Sequence, residues 1–151
     1  MPVLMVATYD ENGTVDVMNL AWGGICARNM VSLKINENHK TSKNIKIHGA
    51  FTLSIADAAH MEAADFFGMA SGNTMPDKFA RSGLSAVKSE KVDAPVVQEF
   101  PLTLECRAFE TVKKAVAFLT KELRLDCAHK FHTCEAICIF TRKGYATSVR
   151  R

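Results

Sequence analysis

The feature that most constrains the fold is a junction at residues 30–45, where a strand pattern stops and a helix pattern begins. Residues 30–35 alternate apolar and polar side chains, as a half-buried strand does. Residues 36–45 are polar and basic, and Asn38 or Thr41 is predicted to cap the helix that follows. The sequence therefore predicts a strand that leads directly into the N-terminus of a short helix.

Such a junction is suited to binding an anion. Unpaired backbone N–H groups and the positive end of the helix dipole lie at a helix N-terminus and attract phosphate groups. His39, Lys40 and Thr41 add an imidazole, an ammonium group and a hydroxyl at this point. The alternative is a capped, solvated helix start that binds nothing.

Other short alternating runs predict a mainly β protein with flanking helices, an α+β fold. Residues 2–9 and 15–22 read as a hairpin, because the Asn-Gly pair between them suits a turn with positive φ. Gly23 and Gly24 are expected to bend the chain, so that three strands precede the first helix. Further strands are predicted at residues 50–55 and 100–109.

Four helical segments are predicted between and after these strands. The first covers residues 40–48 and stops at Gly49. The second follows an N-cap at Asp57, and a single helical turn is predicted over residues 77–81. From residue 110 onward the spacing of Val112, Val116, Leu119 and Leu123 predicts another helix.

Composition limits the classes of protein that the chain can belong to. Its 151 residues suffice for one globular domain, and a net charge of +3 does not indicate nucleic-acid binding. No apolar run approaches the length of a membrane span, and no leader pattern precedes the first strand. We therefore expect a soluble cytoplasmic protein that binds neither nucleic acid nor membrane.

No motif of a self-sufficient catalytic centre is present, so any chemistry is expected to come from a cofactor. Two segments could complete a pocket around a planar, phosphorylated cofactor. In residues 18–24 a strand gives way to glycines, and Trp22 is either an apolar wall of the pocket or a core tryptophan. Residues 71–79 form a polar loop with one lysine and one phenylalanine, and the alternative for this loop is simple solvation.

A weaker set of candidate residues lies near the C-terminus. Cys127, His129, His132 and Cys134 are side chains that bind zinc, but their spacing matches no zinc finger or ribbon. This cluster and the basic tail would support a different function, that of a small zinc-dependent or nucleic-acid-binding domain. We predict no metal site.

Seven segments in order carry a resemblance to a known family. They are residues 2–13, 19–26, 38–41 with 44–45, 50–55, 64–68, 71–72 with 77–79, and 93–95 with 104–106. Together they resemble the flavin reductase-like family of the FMN-binding split β-barrel fold, in particular its flavoredoxin-like members. The resemblance covers residues 1–111, and residues 112–151 are expected to form an atypical C-terminal helix and basic tail.

The resemblance implies a homodimer that binds FMN and takes hydride from NADH or NADPH, or passes electrons to a partner protein. It implies no catalytic side chain. The residues that it assigns to the cofactor pocket are Asn19, Leu20, Ala21 and Trp22 at the isoalloxazine ring, His39, Lys40 and Thr41 at the phosphate and ribityl chain, and Ser71, Gly72, Lys78 and Phe79 around them.

The C-terminal departure from the family leaves an alternative function open. Family members are expected to continue into a further barrel strand after residue 112, and the ending here is either a truncated or frame-shifted reading or a divergent one. Loss of a barrel strand would expose a sheet edge and weaken FMN binding. The alternative to the oxidoreductase is therefore a non-catalytic flavin-binding module.

Overall fold

A computed structural model of the protein describes residues 3–112 and 131–141. The strands are β1 Leu4–Tyr9, β2 Val15–Leu20, β3 Gly23–Ala27, β4 Met30–Asn36, β5 Ala50–Ile55, β6 Ala86–Lys88, β7 Pro95–Val97, β8 Leu102–Val112 and β9 Phe131–Thr141. The α-helices are α1 Lys40–His48, α2 Met61–Met69 and α3 Lys78–Arg81, and a 3-10 helix at Ala58–His60 leads into α2.

Seven of these strands form one curved sheet in the order β2-β1-β5-β8-β9-β4-β3. The pairs β1–β2, β1–β5, β5–β8 and β3–β4 are antiparallel, whereas β9 lies parallel to both β8 and β4. The two ends of the sheet approach each other, because side chains of β1 and β2 share one buried cluster with side chains of β4. The sheet therefore curls into a barrel.

The barrel interior is apolar over most of its length. Side chains from five strands and from α1 form one buried cluster: Leu4, Val6, Leu20, Val31, Leu33, Ile35, Ile45, Phe51, Leu53 and Cys106. Alternation along each strand brings every second residue into this cluster. Burial of these side chains is the main favourable contribution to folding.

The outer face of β1 and β2 is covered as well. Met5, Ala7 and Val17 pack against Ala64 and Phe67 of α2. Since β1 is buried on both faces, its sequence is almost continuously apolar rather than strictly alternating. This packing fixes α2 along the outside of the β1–β2 hairpin.

The hairpin turn is built around Asp10. Its Oδ1 accepts hydrogen bonds from the N–H groups of Asn12, at 2.8 Å, and Thr14, at 2.9 Å. Gly13 has a φ of 78°, which confirms the predicted turn with positive φ. The Lys40 ammonium lies 3.6 Å from Asp10 Oδ2, so the turn is also tied to the start of α1.

The sequence predicted the C-terminal end of α1 correctly but not its N-terminal cap. Gly49 adopts the left-handed conformation, with a φ of 63°, and its N–H donates to the Ile45 carbonyl, as predicted for a helix stop. The predicted N-cap is wrong: the capping position is His39, and no side chain caps the helix. Thr41 lies inside the first turn and is hydrogen-bonded elsewhere.

Two predictions of secondary structure are corrected by the strand pairing. Gly23–Ala27 is a strand paired with β4, so four strands rather than three precede α1. Val112, the first residue of the predicted C-terminal helix, ends β8. Residues 131–141, which were expected to belong to the atypical helix and tail, form β9 instead, between β8 and β4. Residues 113–130 and 142–151 lie outside the described residues, and the predicted domain boundary at residue 111 stays a prediction.

The prediction at Asp57 is confirmed, because its side chain caps the 3-10 helix before α2 by accepting from the His60 N–H at 3.1 Å. In the described parts of the chain, no helix has the length and apolar character needed to cross a membrane.

Replacing Asp10 by Ala is expected to lower the free energy of unfolding by about 1–3 kcal/mol, because two turn N–H groups lose their acceptor. Burial raises the pKa of Asp10, but the N–H groups of Thr14 and Asn12 and the charge of Lys40 outweigh it and hold the pKa below the ordinary 3.8. The stabilisation by the ionised Asp10 carboxylate is therefore present above about pH 4 and is lost as the pH falls through the lowered pKa.

Urea unfolding at pH 7 and at acidic pH measures this effect. The matched control is Glu11→Ala, since the Glu11 carboxylate is 62% exposed and pairs with Lys40 at 3.7 Å. Equal losses of unfolding free energy in the two variants at pH 7 would contradict the role of Asp10.

Candidate functional site

A buried carboxylate, Asp16, lies where the barrel interior changes from apolar to polar. It is on β2, on the same strand face as Met18 and Leu20, which belong to the apolar interior. The Asp16 carboxylate is only 7% exposed. Its neighbours in space come from three separate parts of the chain.

Each carboxylate oxygen of Asp16 has its own partner. Thr41 Oγ1, in the first turn of α1, donates to Oδ2 at 2.6 Å. Lys78 Nζ, at the start of α3, lies 3.0 Å from Oδ1 in an ion pair that lacks hydrogen-bond geometry. Lys78 also donates to the Ala70 carbonyl at 3.3 Å, and its side chain is 3% exposed.

Gly72 allows the loop before α3 to approach this carboxylate closely. A Cβ atom at residue 72 would lie 2.4 Å from Asp16 Oδ1 and 3.1 Å from Lys40 Cβ. Any side chain at this position would therefore push the loop away from β2 and α1. The glycine is required for space, since its φ is not in the left-handed region.

The first turn of α1 keeps the features of an anion site. No side chain caps it and no acidic residue lies in it. Asn73 connects it to the loop: Lys43 Nζ donates to Asn73 Oδ1 at 2.9 Å, and Asn73 Nδ2 donates to the Asn38 carbonyl at 2.9 Å. Ser71, whose Oγ accepts from the Asn73 N–H, lies in the same loop.

His39, at the capping position, is shifted toward its neutral form. Partial burial is the largest cause that lowers its pKa, and the positive charge of Lys78 lowers it further, whereas the Asp16 charge acts in the opposite direction. His39, Lys78 and Asp16 are therefore electrostatically coupled. At pH 7 the imidazole is mainly neutral.

Lys40 is directed toward the hairpin turn. Its ammonium lies 3.6 Å from Asp10 Oδ2 and 3.7 Å from Glu11 Oε1. The predicted phosphate contacts Lys40 and Thr41, together with Lys78, thus have carboxylate partners inside the protein. Their contact with a cofactor stays a prediction.

The predicted ring-binding segment divides into buried and accessible parts. Leu20 is a core residue, and Asn19 donates from Nδ2 to the Ala64 carbonyl at 3.3 Å. Ala21 is exposed, and Trp22 is 69% exposed between β2 and β3. Trp22 is therefore not a core tryptophan. Lys34 Nζ lies 5.9 Å from the centroid of its ring.

Phe79 is partly buried rather than exposed. Its ring stacks on that of Phe67 in α2, with centroids 6.1 Å apart and an angle of 9° between the planes. It therefore fastens α3 to the outer core. This contact places the Lys78 side of α3 toward β2.

The structure thus brings His39, Lys40, Thr41, Gly72 and Lys78 together around Asp16, with Ser71 in the adjoining loop. Asp16 was missed from the sequence. The available signal was its place in a Val-Asp-Val run, which puts a carboxylate on the apolar face of a strand.

Trp22 lies six residues further along the chain than Asp16, so the two are separated by at most roughly 20 Å at the rise of a strand. An elongated ligand lying along β2 would therefore be needed to contact both ends of the predicted site.

A separate open cleft of about 460 Å³ lies on another part of the surface. Its lining includes His48, Lys91, Asp93 and Arg107. His48 Nδ1 is 2.8 Å from Asp93 Oδ2, and its Nε2 is 3.1 Å from the Asp10 carbonyl. None of the predicted cofactor residues lines this cleft.

Among the described side chains, no group of three or more His, Cys, Asp or Glu residues is arranged to hold a metal ion. The candidate zinc residues are not tested by this result, because Cys127 and His129 lie outside the described residues. Only the backbone of His132 and Cys134, in β9, is described.

The curved sheet, with α1 at one end and α2 outside, defines a split β-barrel. The chain belongs to the flavin reductase-like family, because the model of the flavin reductase like domain matches residues 1–135. This confirms the resemblance found in the sequence.

Solved structures agree with the family assignment. Flavoredoxin of Desulfovibrio vulgaris (Miyazaki F) is 39% identical, with a TM-score of 0.65 over 69% of this chain and 57% of that chain. The FMN-binding domain of a flavin reductases-like enzyme from Shewanella baltica OS155 shares the fold, with 20% identity and a TM-score of 0.65 over 70% of this chain and 56% of that one.

Among curated proteins, an uncharacterised protein of Aeropyrum pernix is 26% identical over 115 residues, 74% of this chain and 44% of that protein. The chain therefore spans about half the length of these relatives.

The coupling of His39 to Lys78 gives a testable prediction. In an NMR titration of the ligand-free protein, His39 should titrate below its ordinary value of 6.5. Because the folded state takes up this proton less readily than the unfolded chain, protonation as the pH falls disfavours folding.

Lys78→Met should raise the pKa of His39, since it removes a positive charge and leaves the Asp16 charge unpaired. A pKa at or above 6.5 in the unmodified protein, or no change in the variant, would contradict the coupling.

Proposed function

We propose that the protein is an FMN-binding oxidoreductase of the flavin reductase or flavoredoxin kind. It accepts hydride from NADH or NADPH onto FMN, or transfers electrons through bound FMN. The observation that carries this proposal is the meeting of two predicted pocket segments, the start of α1 and the loop before α3, beside Asp16 of β2 at one end of a flavin reductase-like barrel.

The residues present fit the phosphate end of FMN. The first turn of α1 has no side-chain cap, and the amide groups there suit an anionic oxygen. His39 and Lys43 add donors beside this turn, and Asn73 holds the Ser71 loop against it. The partial positive charge of the helix end favours a dianion at this position.

The residues at the other end of β2 fit the ring. Trp22 offers an accessible aromatic face, and the neighbouring backbone of Asn19 to Ala21 supplies polar groups for a ring edge. When bound, FMN supplies the ring that accepts hydride or electrons. The role of the chain is to orient that ring, to balance its charge with N–H donors and to keep one ring face open to a nicotinamide.

The buried carboxylate partners suggest two kinds of contribution from the predicted pocket residues. His39 and Ser71 are proposed to contact FMN directly. Thr41 and Lys78 are proposed to shape the pocket through Asp16, and Lys40 to balance the charge of Asp10 beside the phosphate.

Homodimerisation and an electron-transfer partner protein belong to the same proposal. Strand β3 forms one edge of the seven-stranded sheet, and its Ile25 is 83% exposed. An apolar side chain on a sheet edge beside the exposed Trp22 suits a protein interface close to the ring. A cytoplasmic location remains part of the proposal.

Binding and turnover of FMN test the function directly. The purified protein should bind FMN at micromolar concentration with a shift of the flavin absorbance bands, and it should accelerate oxidation of NADH or NADPH in the presence of FMN. Binding without turnover or electron transfer would favour the non-catalytic module. Failure of the folded protein to bind FMN would refute the proposal.

Replacing Lys40 by Ala should weaken FMN binding roughly 10-fold and leave riboflavin binding almost unchanged, because only FMN carries the phosphate. The loss is expected because the carboxylates of Asp10 and Glu11 would remain uncompensated near that phosphate.

Isothermal or fluorescence titrations of both flavins measure this difference. Lys46→Ala is the matched control, since it removes a lysine from the last turn of the same helix. Equal losses of FMN and riboflavin binding in Lys40→Ala would place the phosphate elsewhere.

A further inference from the structure

We propose that Asp16 is a positioning residue. It holds β2, the first turn of α1 and the loop before α3 in one arrangement without touching the flavin. This inference rests on the proposed function, because it assigns a role within the same pocket. It concerns a residue that the resemblance to the family did not single out.

The contacts of Asp16 join segments that are distant along the chain. Thr41 follows it by 25 residues and Lys78 by 62, yet both contact the same carboxylate at 2.6 Å and 3.0 Å. The close approach of Gly72 to Oδ1 adds the loop that precedes α3. One side chain of β2 therefore connects to α1, to the loop and to α3.

The arrangement depends on charge balance, because the Lys78 ammonium is buried. Asp16 is the one carboxylate within 4 Å of Lys78 in the described part of the chain. An ammonium group that loses its partner in a buried position is strongly unfavourable. Without the negative charge at residue 16, Lys78 would move toward water and would carry the loop and α3 away from β2.

The same carboxylate helps to fix the rotation of α1 about its axis. Thr41 and Asn44, three residues apart on one side of the helix, both bond to the β1–β2 hairpin. Thr41 contacts Asp16, and Asn44 Nδ2 donates to Thr8 Oγ1 at 3.0 Å. Because Thr8 and Asp16 are paired across β1 and β2, the two bonds hold the first turn of α1 at a defined position on the barrel.

A positioning role has a different consequence from direct phosphate binding. If Asp16 aligns the whole pocket, its loss should weaken binding of FMN and riboflavin alike. If Lys78 instead bound the phosphate directly, its replacement would affect FMN alone. The contrast separates the geometry of the pocket from recognition of one ligand group.

A double-mutant cycle tests the proposal on the full chain. The variants are Asp16→Asn, Lys78→Met and the two combined, and the readouts are dissociation constants for FMN and riboflavin with thermal unfolding of the ligand-free proteins. Each single change should weaken binding of both flavins roughly 10- to 100-fold, as replacing a residue that orients a metal ligand weakens metal binding.

The double variant should bind within roughly 3-fold of the weaker single variant, because the two residues act through one contact. Asp65→Asn, which removes a carboxylate from the exposed side of α2, is the matched control and should bind both flavins as the unmodified protein does.

A second pair of variants covers the case in which Asp16→Asn does not fold. Thr41→Val keeps the shape of the side chain but removes the hydroxyl donor to Asp16, and Thr41→Ser restores that donor. Binding of both flavins should fall roughly 10-fold in the Val variant and recover in the Ser variant.

Unchanged flavin binding in Asp16→Asn, or losses that simply multiply in the double variant, would overturn the proposal. Equal binding by Thr41→Val and Thr41→Ser would do the same. If the unmodified protein binds no FMN, the proposed function fails first and this inference fails with it, and that result is visible before any variant is compared.

Discussion

The ion pair between Asp16 and Lys78 is the interaction on which the described arrangement of the site depends. Apolar packing of Ile45 and Phe79 holds α1 and α3 on the barrel, but it does not connect their polar ends. The Asp16 carboxylate makes this connection, because a buried charge is tolerated only beside its partner and each oxygen of Asp16 faces a different element. The barrel interior therefore ends in a polar cluster.

The position of this cluster follows from the alternation of β1 and β2. Leu4, Val6 and Leu20 face the apolar interior, and Thr8 and Asp16 continue the same strand faces toward α1. The change from apolar to polar side chains thus occurs along the strands, at the end of the barrel where the helix N-terminus lies. A pocket at this end would have apolar walls on one side and donors on the other, which is the usual composition of a cofactor site.

Local sequence patterns were sufficient for most of the fold. The β1–β2 hairpin, α1 with its stop at Gly49 and the capping residue Asp57 were all predicted, because each depends on neighbours a few residues away. Strand β3 was missed because its paired glycines do not show apolar alternation, and its pairing with β4 decides its conformation.

Local sequence patterns predicted the site less completely than the fold. Its segments were predicted, but Asp16 was missed because its partners are 25 and 62 residues away. A capping role for Thr41 was wrong for the same reason, since a distant carboxylate accepts the hydrogen bond that a local pattern would have assigned to the helix. Exposure of Trp22 likewise depended on the packing of the folded barrel.

The most direct test of the account is a comparison of backbone and indole N–H chemical shifts of the protein with FMN and with riboflavin. The account predicts that the Trp22 indole shifts with both flavins, whereas amides of residues 39–43 and 71–73 respond to FMN far more than to riboflavin. Shifts confined to the cleft lined by His48, Lys91 and Arg107 would contradict it.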